Sequence, residues 1–160
     1  MTRSKDRFTE LLQSDSFAGH IIRWVCIFES RLDSVLSIYF VEKELSIAFQ
    51  ESVLSRLSFS VKIEILRGIK LGRPLKSPKN IADVLGKLLK LRNALAHSSR
   101  MPDNEIKKLR SDKWLVDFVT GYPASVGREK NAIENRFTLL WKHCEATHQS
   151  QKNKKRTEKT

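Results

Sequence analysis

The sequence predicts an all-α protein, folded as an antiparallel helical bundle with a long central helix and a motif-bearing fourth helix. Apolar residues recur at three- and four-residue spacings along most of the chain, which is the pattern of helices with one buried face. Only six Gly and four Pro occur in 160 residues. Hydrophobic residues make up 40% and charged residues 30% of the chain, a composition typical of globular proteins.

The length of 160 residues predicts one domain, which can bury a sizeable core without disulfides or metal. We expect this helical domain to span residues 1–150. Residues 151–160 carry five basic side chains and one acidic side chain. They are predicted to form a basic, disordered tail.

The first elements follow from the spacing of apolar residues. Residues 7–13 predict one or two helical turns, and residues 17–41 predict the long central helix. The apolar face of that helix holds Ile21, Trp24, Val25, Phe28, Leu32, Val35, Leu36 and Tyr39. Residues 44–57 and 58–71 predict two further helices, and the glycine and proline of "LGRP" end the second of them.

The fourth helix of the bundle is predicted over residues 81–97, because Asn80 is a suitable N-cap and Asp83 favours a helix N-terminus. Its buried stripe is Ile81, Val84, Leu85, Leu88, Leu91 and Leu95. Residues 103–122 are ambiguous, since "EIKKLR" is helical whereas "WLVDFV" fits a helix or a strand. A loop that includes Gly127 precedes the last helix, whose stripe is Ile133, Phe137, Leu140, Trp141 and Cys144.

The net charge of +12 favours a polyanionic partner, with nucleic acid ahead of a membrane surface. The alternative is a solvated basic surface. No run of 18 apolar residues and no secretory signal is present, so we expect a cytoplasmic protein without a membrane partner. Cys26 and Cys144 each lie in an apolar helical pattern, which predicts reduced core residues and no disulfide or zinc site.

Several common enzyme classes are excluded, because the chain has no Gly-rich phosphate loop, HExxH pair, GxSxG elbow or internal repeat. His20, His143 and His148 have no partner at metal-ligand spacing, so we predict surface histidines, no metal site and no cofactor. Trp24 and Trp141 fit the core. Trp114 either stacks on a base or covers the bundle, and packing is favoured.

The segment "LRNALAH" places three hydrogen-bonding side chains at the end of the fourth helix. Arg92 projects at the edge of the leucine stripe, and Asn93 and His97, four residues apart, share the adjacent flank. The small side chains of Ala94 and Ala96 project little from the helix surface beside them. A guanidinium, an amide and an imidazole therefore lie near one another beside small residues, where a ligand or another backbone can approach.

An arginine at the border of an apolar stripe requires an acceptor, because an unpaired buried charge is strongly unfavourable. Glu29 and Asp33, four residues apart, flank the apolar face of the long helix. One of them is the expected partner of Arg92. On geometry alone, an equally good interpretation is that Arg92 serves only this salt bridge and that Asn93 and His97 are idle surface residues.

The segment "RNALAH" resembles the Arg-polar-x3-His signature of the HEPN superfamily of helical domains, many of which cleave RNA in toxin and defence systems. The stretch "LSFSVKIEIL", followed by a loop and "LGKLLKLRNALAH", is similar to members in which a Phe-x2-Lys-Ile helix precedes the motif helix. The resemblance covers roughly residues 17–100.

The resemblance implies a metal-independent endoribonuclease in which two copies of the motif meet across a homodimer interface. His97 would act as general base or acid, Arg92 would stabilise charge on the phosphate, and Asn93 would orient either group. Some members carry a tyrosine two residues after the histidine that a partner enzyme modifies. Here that position is Ser99, so such regulation is not implied. An antitoxin or another regulatory protein is the implied partner.

The basic residues after the motif predict a surface that follows an RNA backbone toward His97, against the alternative of a solvated basic face. They are Arg100, Lys107, Lys108, Arg110 and Lys113. Two other functions remain open: a non-catalytic HEPN-like module that binds RNA, a nucleotide or a protein, and a helical regulator that acts only through protein contacts.

Overall fold

The computed structural model describes residues 6–69, 79–97 and 100–158, and in these ranges the chain is all-α. The predicted fold class is confirmed: the described residues form a helical bundle without a strand. The elements are α1 (Arg7–Leu12), α2 (Asp15–Phe40), α3 (Ser46–Ser52), α4 (Phe59–Gly68), α5 (Lys79–Ala96), α6 (Asp103–Arg110), α7 (Lys113–Thr120) and α8 (Ala124–Thr157).

The ambiguous region after the motif is helical and forms two short helices, α6 and α7. The break between them lies at Asp112, whose side chain caps α7 by accepting a hydrogen bond from the backbone N–H of Leu115. The segment "WLVDFV" is therefore a helix. Leu115, Phe118 and Val119 are its buried residues.

One predicted helix is broken. The sequence predicts a single helix over residues 44–57, but the structure has the 3-10 turns Lys43–Leu45 and Leu54–Arg56 on either side of α3. Leu54 is the one buried residue of these three elements, and the side chain of Ile47 is 70% exposed. A helix without a packed face gains little tertiary stabilisation, so this segment folds as short pieces.

The last helix is longer than predicted at both ends. It begins at Ala124, so Gly127, expected in a loop, lies in the helix. It also continues to Thr157, where the sequence predicted a disordered tail from residue 151. All side chains in residues 149–158 are exposed. The predicted stop at "LGRP" falls outside the described residues, and α4 ends before it at Gly68.

By its internal contacts the chain divides into two compact units. The first contains residues 6–27 and the described part of 83–132, and its core draws on α1, the start of α2, most of α5, and α6 and α7. Its α1 is held by two arginines: Arg7 donates to the carbonyl of Tyr122, and Arg110 donates to the carboxylate of Asp6. Fully buried members of this core include Phe17, Ile21, Leu85, Leu91, Leu109 and Leu115.

The second unit contains residues 28–69, 79–82 and 133–158 and is built on the later part of α2, on α4 and on most of α8. Fully buried members include Leu32, Leu36, Leu54, Leu66 and Ile133. Its most buried charged residue is Lys62 of α4, whose side chain is 4% exposed.

The ammonium of Lys62 is held between two carboxylates. Its Nζ lies 3.0 Å from Glu29 Oε1 and 3.1 Å from Asp33 Oδ2. Burial alone disfavours the charged ammonium, but the hydrogen bonds and charges of Asp33 and Glu29 outweigh burial and raise the pKa of Lys62. Lys62 is the lysine of the Phe-x2-Lys-Ile segment, so this residue pattern closes an ion-pair cluster in the second unit.

Replacing Lys62 by Met is expected to lower the free energy of unfolding by about 2–4 kcal/mol, because the methionine keeps the packed stem but leaves two neighbouring carboxylates without their cation. Lys43→Met is the matched control. Lys43 pairs with Glu145 at 3.2 Å, but its side chain is 68% exposed, so the loss should stay below about 1 kcal/mol. Urea unfolding of both variants at neutral pH measures the difference.

The same comparison has a defined pH dependence. Because the pKa of Lys62 is raised above 10.5 in the folded protein, its contribution is fully present at lower pH and disappears as pH rises through the raised value. The stability gap between wild type and Lys62→Met should therefore persist to about pH 10 and shrink above it. Equal stability of the two proteins at pH 7 would contradict a stabilising cluster.

Candidate functional site

The motif lies at the C-terminal end of α5, where the helical period separates an apolar face from a polar one. Leu85, Leu88, Leu91 and Leu95 are buried as predicted, while Val84 is half-buried. Asn93 and His97 are exposed on another side of the helix. Packing of the leucine face therefore fixes the direction in which the amide and the imidazole point.

Asn93 and His97 line an open groove of about 640 Å³ within the first unit. One wall is a single face of α5, formed by Lys90, Asn93, Ala94 and His97. The other wall is a face of α6 and the turn after it, formed by Pro102, Glu105, Lys108, Leu109 and Ser111. The volume lies within the range of small-molecule binding sites. This groove is the candidate functional site.

The electrostatic character of the groove is mixed, with a cationic excess. Lys90 and Lys108 contribute two ammonium groups, and Glu105 contributes one carboxylate. Lys108 Nζ lies 3.1 Å from Glu105 Oε1, so these two side chains form a pair on the α6 wall. His97 lines the same groove as this pair. An anion that carries hydrogen-bond donors and acceptors suits this lining.

Arg92 is half-buried, as expected for the edge of the stripe, but its expected acceptors bind another cation. Glu29 and Asp33, proposed from the sequence as its partners, both bind Lys62. The Nε donor of Arg92 is buried, and among the described residues no atom accepts a hydrogen bond from it. Both expected acceptors therefore bind Lys62, and Arg92 is not among the residues that line the groove.

The five basic residues predicted to contact RNA have different environments. All of them are exposed, and Lys108 lines the groove. Arg110 donates to both carboxylate oxygens of Asp6 and lies 5.0 Å from the ring of Phe8. Its hydrogen bond holds the pKa of Asp6 below the usual value. Arg110 thus serves the attachment of α1, whereas Arg100, Lys107 and Lys113 lie on the surface outside the groove lining.

Sequence reasoning missed Lys90 and Glu105. Lys90 precedes Asn93 by three residues and His97 by seven, so the spacing that joined the motif residues also places Lys90 on their face. Glu105 had no such signal. Its place opposite the motif depends on the path of the chain between α5 and α6, which includes Ser99, a residue outside the described ranges.

The remaining candidate side chains lie in structural contacts. His20 Nδ1 is 3.2 Å from the Tyr122 hydroxyl, and His148 Nε2 is 3.2 Å from the carbonyl oxygen of Tyr39. Trp114 stacks on Phe118 with ring centroids 5.0 Å apart.

The cysteines differ from each other. Cys144 is buried, and burial raises its pKa to about 11, so its thiol stays protonated at neutral pH. Cys26 is exposed, which corrects its predicted place in the core.

No group of three potential metal ligands occurs among the described residues. None of the helices described is both long and apolar enough to cross a membrane.

Comparisons of the chain with models of known protein families, with curated proteins and with solved structures give no match.

Arg92→Met is expected to leave the free energy of unfolding unchanged or to raise it by about 1 kcal/mol, because methionine keeps the packed stem and removes a buried donor without an acceptor. Arg110→Met is the matched control in the same unit. That variant loses an ion pair and an aromatic contact and should be destabilised by about 1 kcal/mol. Thermal and urea unfolding compare the three proteins. If Arg92→Met lowered the free energy of unfolding more than Arg110→Met does, Arg92 would serve the fold alone.

Proposed function

We propose that this protein is a metal-independent endoribonuclease of the HEPN type that acts as a homodimer. The observation that supports the proposal best is the placement of Asn93 and His97: both are exposed on one wall of a groove that also holds Lys90 and Lys108. A proton-transfer group and two cations thus share one ligand-sized cavity. The net charge of +12 favours RNA as the polyanion that enters it.

The proposed reaction is transesterification within RNA. A general base removes the proton of a 2′-hydroxyl, the 2′-oxygen forms a bond to the adjacent phosphorus, and the bond to the 5′-oxygen breaks. A general acid gives a proton to that leaving oxygen, so the products are a 2′,3′-cyclic phosphate and a 5′-hydroxyl. Imidazole suits both roles because it titrates near neutral pH, and His97 is the histidine of the groove.

Charge on the phosphorane oxygens requires cationic donors in place before the reaction. Arg92 has a planar fork of donors, and its Nε has no acceptor among the described residues. In the proposal, which takes this role from the resemblance, the guanidinium binds the phosphate, although Arg92 does not line the groove as the structure shows it. Asn93, four residues before His97, orients the imidazole or donates its amide to a phosphate oxygen.

The homodimer enters the proposal because one motif supplies one histidine, whereas the reaction gains from a base and an acid on opposite sides of phosphorus. A twofold axis near α5 brings two copies of His97 to one phosphate. Ala94 lines the groove, and Ala96 is an exposed small residue of the same helix. Both allow a second backbone to approach closely.

The proposed setting is a cytoplasmic toxin or antiviral defence effector whose activity a protein partner restrains. A groove that stays open in the isolated chain can be blocked by such an antitoxin. The second candidate is a non-catalytic module that binds RNA, a nucleotide or a protein. The groove volume of about 640 Å³ favours the nucleotide among these ligands.

His97→Ala is expected to abolish RNA cleavage, lowering the rate by about a hundredfold or more, because general acid–base catalysis contributes factors of that size. The measurement is incubation of a mixed single-stranded and structured RNA pool with each protein in EDTA, followed by analysis of product ends. Wild type should leave 2′,3′-cyclic phosphates.

The matched control for this experiment is His143→Ala, because His143 is half-buried in α8 and does not line the groove. It should cleave like wild type. Equal cleavage by wild type and His97→Ala would remove His97 from the chemistry. Binding of RNA without cleavage by any of the proteins would favour the non-catalytic module.

Dimer dependence gives a second expected outcome. If two chains form the site, specific activity should fall on dilution in proportion to the loss of dimer, because a single chain supplies one histidine. Sedimentation and cleavage rates measured over the same concentration series make the comparison. Full specific activity in a monomeric sample would exclude the shared site while leaving cleavage itself intact.

A further inference from the structure

We infer that the α6 wall of the groove is a nucleobase subsite that selects guanine, with Glu105 and Lys108 as the residues that set the selection. The inference rests on the proposed function for its role in RNA cleavage, since it names the nucleoside held beside the bond that breaks. The juxtaposition that carries it is the Glu105–Lys108 ion pair in the lining of the same cavity as Asn93 and His97.

The groove offers apolar surface of the kind that covers a base. Ala94 contributes from α5, Pro102 contributes from the start of α6, and the almost fully buried Leu109 lies along its lining. A planar base gains from contact with such groups because both of its faces are apolar. The same lining also offers Lys90 and His97, whose side chains suit a phosphate. The lining therefore combines apolar groups suited to a base with cationic groups suited to a phosphate.

The Glu105–Lys108 pair offers two acceptor oxygens next to a donor ammonium. Glu105 presents two carboxylate oxygens, and the ammonium of Lys108 lies 3.1 Å from one of them. Guanine presents the complementary set along one edge: the N1–H and N2–H donors, followed by the O6 acceptor. The carboxylate can accept from both nitrogens while the ammonium donates to O6, which satisfies every group involved.

The other bases fit this pair less well. Uracil has a single N–H between two carbonyl oxygens, so a carboxylate placed there meets an acceptor on either side. Adenine and cytosine each present one amino group beside a ring nitrogen that accepts hydrogen bonds. Each of these bases leaves at least one oxygen or nitrogen without a partner, and an unpaired polar group costs binding free energy.

The test uses full-length protein and two nucleotides, 5′-GMP and 5′-UMP, neither of which has a 3′-phosphodiester to cleave. Isothermal titration should show GMP binding about tenfold or more tightly than UMP. Glu105→Gln removes one acceptor and adds a donor, so this ratio should fall close to one. Lys108→Met should weaken GMP binding more than UMP binding.

Glu64→Gln is the matched control. Glu64 forms an ion pair with Arg67 at the same three-residue spacing, its side chain is 70% exposed on α4, and it does not line the groove. This variant should keep the wild-type preference for GMP. Equal affinity of wild type for the two nucleotides, or a preference that survives Glu105→Gln, would overturn the inference.

Cleavage products separate this inference from the proposed function. RNA cut by wild type should be enriched in guanosine at the cut site, and Glu105→Gln should lose that enrichment. Cleavage without guanosine enrichment overturns the guanine subsite and leaves the ribonuclease standing. A preference for GMP that Glu105→Gln abolishes, in a protein that cleaves no RNA, supports the subsite and overturns the ribonuclease.

Discussion

The geometry of the candidate site depends on one constraint, the burial of the leucine face of α5. Leu85, Leu88, Leu91 and Leu95 must face the core, and a helix rotates by about 100° per residue. Once those four side chains are packed, the helical period fixes the side of α5 on which Asn93 and His97 lie. Hydrophobic packing of α5 therefore orients the polar wall of the groove. The same packed leucines stabilise the core and position the site.

Two cationic side chains of the protein, Lys62 and Arg92, have opposite environments. In the second unit, Lys62 is almost fully buried and two carboxylates compensate its charge. At the motif, Arg92 has a buried Nε without an acceptor among the described residues. A fold optimised only for stability would pair or replace that arginine, since buried unpaired donors cost free energy. The described residues therefore compensate the charge of Lys62 and leave the Arg92 Nε donor without an acceptor.

Patterns within one helix could be predicted from the sequence, whereas contacts between helices could not. The all-α class, the extent of α2 and the buried stripe of α5 follow from spacing alone. The partner of Glu29 and Asp33 did not follow, because spacing gives the polar flank of a helix but not the neighbour packed against it. Glu105 was missed for the same reason. The broken helix around α3 shows a further limit: its apolar residues have helical spacing, but most of them remain exposed, so the burial that the pattern assumes is absent.

The end of α8 has a consequence for how the molecule loses structure. All side chains in residues 149–158 are exposed, and Lys152 Nζ lies 3.6 Å from Glu42 Oε2 and 3.5 Å from Glu44 Oε2. Such a stretch draws almost nothing from the hydrophobic core, so its helix can fray without exposing apolar surface. Its order is set locally by salt and temperature, since screening weakens exposed ion pairs and mutual repulsion of the basic side chains alike. We therefore expect the C-terminal end of this helix to fray before either core unfolds.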